Sequence, residues 1–131
     1  MVRTTIVALI AILAAAAFSP ASAAHLIESY DAYLGRDDHF NSNGERLTTA
    51  AAVIRQDRAN YHKFGIRDRR DEDDRFFDDV ANRAYLERLI SQGSSNDDVL
   101  RRIVSDNVMV HVEVFGSRRE GDYVIITLLD D

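Results

Sequence analysis

The 131-residue sequence contains no cysteine and no tryptophan, and its single proline is Pro20. Without cysteine the chain can form neither a disulfide bond nor a thiol nucleophile, which excludes thiol catalysis. Side-chain packing must therefore hold the fold without covalent cross-links. For an exported chain this favours a bacterial periplasmic protein over a small secreted toxin or hormone, because such small proteins usually depend on disulfide bonds.

Complete catalytic motifs are also missing. No serine lies in a Gly-x-Ser-x-Gly frame, and no glycine-rich loop suited to phosphate binding occurs. The four histidines are His25, His39, His62 and His111. They are too widely separated to form the His-x-x-x-His pair of a helical zinc site. The sequence therefore predicts no catalytic residue set, no cofactor and no metal site.

Two segments could nevertheless be considered for a cation. His39, Asn41 and Asn43 stand at positions one, three and five of a calcium-loop pattern, with Gly44 at position six. The Asp required at position one and the Glu required at position twelve are absent, so an Asn-Gly turn leading into a capped helix is the better interpretation. The four acids of 71–74 could ligate Ca²⁺ or Mg²⁺, but an acidic run flanked by arginines is typical of solvated surface.

The amino terminus has the three parts of a secretory signal. Arg3 supplies a positive end, an apolar run covers 6–18, and the small residues of 21–23 form an A-x-A cleavage site. Thirteen apolar residues span only about 20 Å as a helix, which is short of the roughly 30 Å hydrocarbon core of a bilayer. We therefore expect a signal peptide in 1–23, a single domain in 24–131, and no membrane span after cleavage.

The balance of charge limits the partners of that domain. Removal of 1–23 would leave 22 acidic residues against 15 basic ones. A moderately acidic surface disfavours nucleic acid and anionic membranes as partners. A chain of this length is sufficient for one modest core.

Apolar side chains at spacings of three and four predict the helices. Helices are expected over 24–34, from a Ser42–Glu45 capping box to about Phe64, over 78–92 and over 97–105. Glycines 35, 65 and 93 are expected to end the first three of these helices. The charged segment 67–75 is expected to form a solvated loop.

Near the carboxyl terminus the apolar residues recur at every second position. Val108, Val110, Val112 and Val114 alternate with other residues, and a second strand follows over 123–129. Together these patterns predict an α+β fold of three to four helices followed by a C-terminal antiparallel β-hairpin. A lone hairpin is marginally stable in water, so it must pack against the helices or against another chain.

The second predicted helix carries the candidate binding site. A helical wheel places Asp57 and Arg58 within the apolar arc that also contains Tyr61. Buried charges must be paired, and Arg70, Arg83 and the acids of 71–74 are candidate partners. One interpretation is a structural ion-pair network. The other is a cleft in which Asp57 acts as a base, Arg58 binds an anion, and Tyr61 and His62 line the floor.

The last predicted strand, YVIITLL, is apolar on both faces. We therefore expect a small exported, periplasmic protein with a non-enzymatic binding or interaction role, whose C-terminal hairpin pairs with another protein or with itself. In the self-pairing case, Ile126→Lys should abolish association and leave a folded monomer. The alternative is a small periplasmic enzyme or ligand-binding protein that uses Asp57, Arg58, Tyr61 and His62.

Overall fold

A computed structural model of the protein describes residues 23–93 and 96–129. The predicted signal peptide lies outside these residues apart from Ala23. The principal elements are β1 (His25–Leu34), α1 (Ala50–Ala59), α2 (Val80–Ser91), α3 (Asp97–Ser105), β2 (Val108–Gly116) and β3 (Tyr123–Leu128). Two 3-10 turns, Arg36–His39 and Phe76–Asp78, and a π-helical turn, Asn60–Phe64, complete the fold.

The three strands form one antiparallel sheet in the order β1-β2-β3. In the core-facing row, Val112 of β2 lies opposite Tyr30 of β1 and Ile126 of β3. The valines of β2 at 108, 110, 112 and 114 all face the core, which places the most regular apolar pattern of the sequence in the central strand. The sheet is therefore assembled around β2.

The helices cover one face of this sheet. Inward side chains of α1, α2 and α3 join the sheet residues in a single core, to which the helices contribute Ala50, Ala51, Val53, Ile54, Leu86, Leu89, Ile90 and Ile103. Side chains of the opposite sheet face stay partly exposed, including Tyr33, His111, Phe115 and Tyr123. No helix within 23–93 and 96–129 is long and apolar enough to cross a membrane.

The predicted order of helices followed by a C-terminal hairpin is wrong. The segment expected to be the first helix, 24–34, is the strand β1, so the helices lie between the first strand and the other two. Tyr30, Ala32 and Leu34 are buried with a period of two, although the tyrosines and leucines of the segment also fit a helical spacing. Pairing with β2 favours the strand over the helix, because a third strand gives the hairpin the support that it needs. The coarser α+β description holds.

α3 spans the predicted 97–105 and α2 lies within the predicted 78–92, whereas α1 begins later than expected. The capping box predicted at Ser42 is not used, because α1 begins at Ala50 and the side chain of Thr49 accepts the N–H of Ala52 at 3.2 Å. Gly65 ends this helical segment as predicted, with φ of 66°.

A charged loop covers the outer edge of β1. The carboxylate of Asp71 accepts the N–H of Tyr33 at 2.9 Å, and that of Glu72 accepts the N–H of Asp31 at 2.9 Å. The N–H of Glu72 in turn donates to the carbonyl of Asp31 at 2.8 Å. The segment predicted to be a solvated loop therefore satisfies edge groups that would otherwise be open to another chain.

The two isoleucines of β3 face opposite sides. Ile126 is buried in the core, whereas Ile125 is 41% exposed on the outer face. The sequence-based choice of Ile126→Lys as a test of association is therefore wrong, since this change would place an unpaired charge in the core.

We predict that Ile126→Lys lowers the free energy of unfolding by at least about 3 kcal/mol, because it buries an ammonium group without a partner. Ile125→Lys, the matched change on the outer face, should cost less than about 1 kcal/mol. Urea denaturation followed by circular dichroism measures both. Equal losses for the two variants would contradict the strand register described above.

Candidate functional site

All four predicted site residues lie where α1 passes into the π-helical turn. Asp57 and Arg58 occupy the last full turn of α1, and Tyr61 and His62 follow within Asn60–Phe64. Their spacing of four places Tyr61 near Asp57 and His62 near Arg58 along the same side of the helical segment. The structure thus brings the four residues together.

Arg58 is the centre of the cluster, and its side chain is 0% exposed. Its Nε donates to Oδ2 of Asp57 at 2.8 Å. Its Nη1 donates to Oδ1 of Asp74 at 2.7 Å and to the carbonyl of Glu72 at 3.0 Å. The guanidinium therefore joins α1 to the acidic loop that covers β1.

Aromatic rings pack against the same guanidinium. The Arg58 Cζ lies 4.0 Å from the ring centroid of Tyr30 and 4.6 Å from that of Tyr61. Tyr30 also meets Phe77 edge to face, at 5.5 Å between centroids. These contacts provide cation–π stabilisation and exclude water from the charge, which strengthens its ion pairs.

Asp74 is the main partner of Arg58 from another part of the chain. Its Oδ1 also accepts from Nε2 of His62 at 2.9 Å, and its Oδ2 accepts the N–H of Phe77 at 2.6 Å. Asp74 lay within the acidic run proposed from the sequence as a source of partners. The two arginines proposed as partners lie elsewhere: Arg70 stacks on Tyr33, and Arg83 donates to backbone carbonyls of Phe77 and Asp78.

Burial has the largest single effect on the pKa values of Asp57 and Arg58. It raises the pKa of Asp57 to about 8, against the lowering effect of Arg58, and the nearby Asp38 carboxylate contributes in the same upward direction. Burial alone would lower the pKa of Arg58, but its carboxylate partners hold that pKa above its ordinary value. One guanidinium is shared by two carboxylates, so Arg58 is the fixed charge and Asp57 is the group that titrates.

A second polar cluster lies beside the first. Asn60 donates through Nδ2 to Oδ1 of Asp38 at 2.9 Å, and the N–H of Gly35 donates to Oδ2 of Asp38 at 2.9 Å. Burial raises the pKa of Asp38 to about 6, although the hydrogen bonds from Asn60 and Gly35 lower it. These contacts tie the end of α1 to the turn that follows β1.

The loop considered for calcium is occupied by internal hydrogen bonds. The two ring nitrogens of His39 lie 2.7 Å from the carbonyl of Gly35 and 2.8 Å from that of Ile103. The side-chain carbonyl of Asn41 accepts the N–H groups of Asn43 and Glu45. In the part of the chain that the structure describes, no group of three or more His, Asp or Glu side chains is placed to hold a metal ion.

The enclosure of Arg58 restricts the access of ligands to the cluster. An anionic ligand could reach the guanidinium only if Tyr30, Tyr61 or the acidic loop moved away. Among the described residues, two buried side-chain polar atoms have no hydrogen-bond partner, Nη2 of Arg58 and Oη of Tyr30. Burial and pairing favour the structural interpretation of Asp57, Arg58, Tyr61 and His62, and their role in ligand binding stays a prediction.

Tyr30 is the residue of the cluster that sequence reasoning missed. It belongs to β1, and the helical interpretation of 24–34 gave no reason to place it beside Arg58. The available signal was the alternation of Tyr30, Ala32 and Leu34 with polar or half-buried residues. A strand there would have directed Tyr30 into the core.

A large open groove lies away from these charges. It runs between the start of α1 and α3, with Ile90, Leu100 and Val104 among its lining residues. No side chain of the Arg58 cluster lines it. The groove and the charged cluster are therefore separate features of the molecule.

Comparison with known proteins adds no relative: no protein-family model matches the chain, and searches of curated proteins and of solved structures find no match.

We predict that Asp74→Asn lowers the free energy of unfolding by about 3 kcal/mol. The amide has one oxygen in place of two, so at least one of the buried donors from Arg58, His62 and Phe77 would face an NH₂ group. Urea denaturation at pH 7 measures the loss. The matched control Asp37→Asn changes an exposed aspartate and should stay within about 0.5 kcal/mol of the wild type. A small loss for Asp74→Asn would argue against the structural interpretation.

The raised pKa values of Asp57 and Asp38 predict how stability depends on pH. Both lie above the ordinary value of 3.8, at about 8 and about 6, so the folded protein retains protons that the unfolded chain has released. The free energy of unfolding should therefore fall as pH rises from about 4 to about 8, by at most about 1.4 kcal/mol per pH unit for each group.

The variant Asp57→Asn isolates the upper part of this curve. It removes the group that titrates near pH 8, so the decrease between about pH 6 and pH 8 should become smaller. Denaturation curves at half-unit intervals provide the measurement. Stability that does not change over this range in the wild type would show that Asp57 is already ionised there.

Proposed function

We propose that the protein is a small exported, periplasmic interaction module that binds a protein partner through the hairpin formed by β2 and β3. The observation that carries the proposal is the outer face of the sheet, which the helices leave uncovered. Phe115 and Tyr123 stack there with ring centroids 5.2 Å apart, and Ile125 is exposed beside them. Exposed aromatic and aliphatic side chains bordered by polar groups are typical of protein-binding surfaces.

Beside these apolar side chains, a histidine lies between two acids on the same face. Nδ1 of His111 lies 2.5 Å from Oδ1 of Asp31, and Nε2 lies 3.8 Å from Oε1 of Glu113. All three side chains are about one-third exposed, so a partner could hydrogen-bond to them while it covers the surrounding rings. This arrangement gives the face specificity as well as apolar area.

The non-enzymatic part of the proposal is supported by the enclosure of the Arg58 cluster. Its charged groups are paired with one another apart from Nη2 of Arg58, and its aromatic rings leave no open approach for a substrate. Export is supported by the signal pattern of 1–23, with cleavage expected before Ala24.

We expect affinity capture from the extracytoplasmic fraction of the protein's own cells to retain a stoichiometric partner, with the bait beginning at Ala24. Tyr123→Lys should abolish this capture, because it places a charge at the centre of the aromatic pair. Val80→Lys is the matched control, since Val80 is also exposed but lies at the start of α2. Mass spectrometry identifies the retained protein and the amino terminus of the bait.

Equal retention by the two variants would place the interaction away from the hairpin. A bait that retains residues 1–23 would contradict cleavage, and a bait found only in the cytoplasm would contradict export.

A further inference from the structure

The two edges of the sheet differ. The edge of β1 is covered by Asp71 and Glu72, whose carboxylates accept its outward N–H groups. The edge of β3 has no comparable loop within the described part of the chain. Within 23–93 and 96–129, the edge of β3 is therefore the one that is open to strand addition.

The register of the hairpin shows which groups β3 presents on that side. The N–H of Leu129 donates to the carbonyl of Met109 at 2.8 Å, and Thr127 lies opposite His111. Hydrogen-bonded pairs alternate along an antiparallel ladder, so residues 125, 127 and 129 bond to β2, and residues 124, 126 and 128 direct their backbone groups outward.

Two of these outward residues have backbone groups available to pair with another strand. Val124 already has an interaction elsewhere in the chain. Within 23–93 and 96–129, the outward N–H and carbonyl groups of Ile126 and Leu128 have no hydrogen-bond partner. β3 therefore presents two consecutive donor–acceptor sets to the open side, at Ile126 and Leu128.

We propose that the protein forms a homodimer in which β3 pairs antiparallel with β3 of a second copy, around a two-fold axis at Thr127. In this register Ile126 lies opposite Leu128 of the second copy, and four backbone hydrogen bonds form between them. The inference rests on the proposed function, because it takes the hairpin as the interacting element and names a second copy as its partner.

The side chains support a second copy as the occupant. Ile125 and Leu129 are each 41% exposed, and the two-fold axis places Ile125 of one chain opposite Leu129 of the other. Thr127 lies opposite itself, which is a favourable cross-strand pair. An axis at Ile126 would instead require Val124 to exchange its existing partner for Leu128 of the second copy, so the axis at Thr127 is preferred.

The covered edge of β1 determines how far the assembly extends. Pairing around the axis gives a continuous six-stranded sheet with the helices of both copies on the same face. Its two outer edges are both β1, and each is closed by Asp71 and Glu72. The assembly therefore stops at two copies, with no route to a fibre.

Cysteine cross-linking tests this register, because the natural chain has no cysteine. A directly opposed, non-hydrogen-bonded pair has Cα atoms about 4.5 Å apart, which is close enough for a disulfide bond. Thr127→Cys, purified after export, should give a covalent dimer under mild oxidation. Ile125→Cys and Leu129→Cys should each form no disulfide-linked dimer alone and should cross-link when mixed.

A second pair of variants tests the axis by charge. Thr127→Lys and Thr127→Glu should each be monomeric at concentrations at which the wild type is dimeric, because like charges meet at the axis. An equimolar mixture should form a heterodimer, and Val80→Lys should dimerise as the wild type does. Sedimentation equilibrium gives the masses, and circular dichroism confirms that each variant is folded.

Three outcomes would overturn the inference. The first is a wild type that stays monomeric at high concentration. The second is cross-linking of a mixture of Thr127→Cys and Ile125→Cys in place of Thr127→Cys alone, which would place the axis at Ile126. The third is dimerisation of Thr127→Lys. A monomer whose hairpin still captures another protein would overturn only the homodimer, whereas retention of the capture by Tyr123→Lys would overturn the proposed function.

Discussion

The buried Arg58 is the constraint on which the rest of the fold depends. A guanidinium without solvent access costs several kcal/mol unless it is paired, and its partners come from three places: Asp57 on α1, Asp74 in the acidic loop, and the ring of Tyr30 on β1. Because one charge requires all three, the helix, the loop and the strand must assemble together. Such a site selects one arrangement of elements and contributes less to net stability than an apolar core of equal volume.

Apolar and polar side chains lie in different parts of the molecule. The core is apolar and one-sided, with the valines of β2 at its centre and the helices on one face. Polar groups therefore concentrate in two places, around Arg58 at the end of α1 and around His111 on the uncovered face. The first set is enclosed and holds elements together, and the second set is accessible and available to a partner. Burial, more than residue type, separates the structural charges from those that can interact.

Much of the fold could be predicted from local pattern. α2 and α3 carry capping residues, Asp79 and Asn96, at their starts, and β2 has an unbroken alternation of valines. β1 could not be assigned in this way, because its tyrosines and leucines satisfy both periods and only pairing with β2 decides between them. The residues of the Arg58 cluster also differ in how far local pattern predicts them. Asp57 and Arg58 were visible as charges in an apolar arc, whereas Tyr30 depended on the missed strand.

The acidic loop connects the edge of β1 to the buried guanidinium of Arg58. Glu72 pairs with the backbone of Asp31 through both its side chain and its N–H, and Asp74, two residues further along, accepts from Arg58. Opening the loop at the edge of β1 would draw the counter-ion away from the buried guanidinium, and loss of the counter-ion would release the loop. Edge and ion pair thus form one cooperative unit, and amide hydrogen exchange at Asp31 and Tyr33 reports the opening of both.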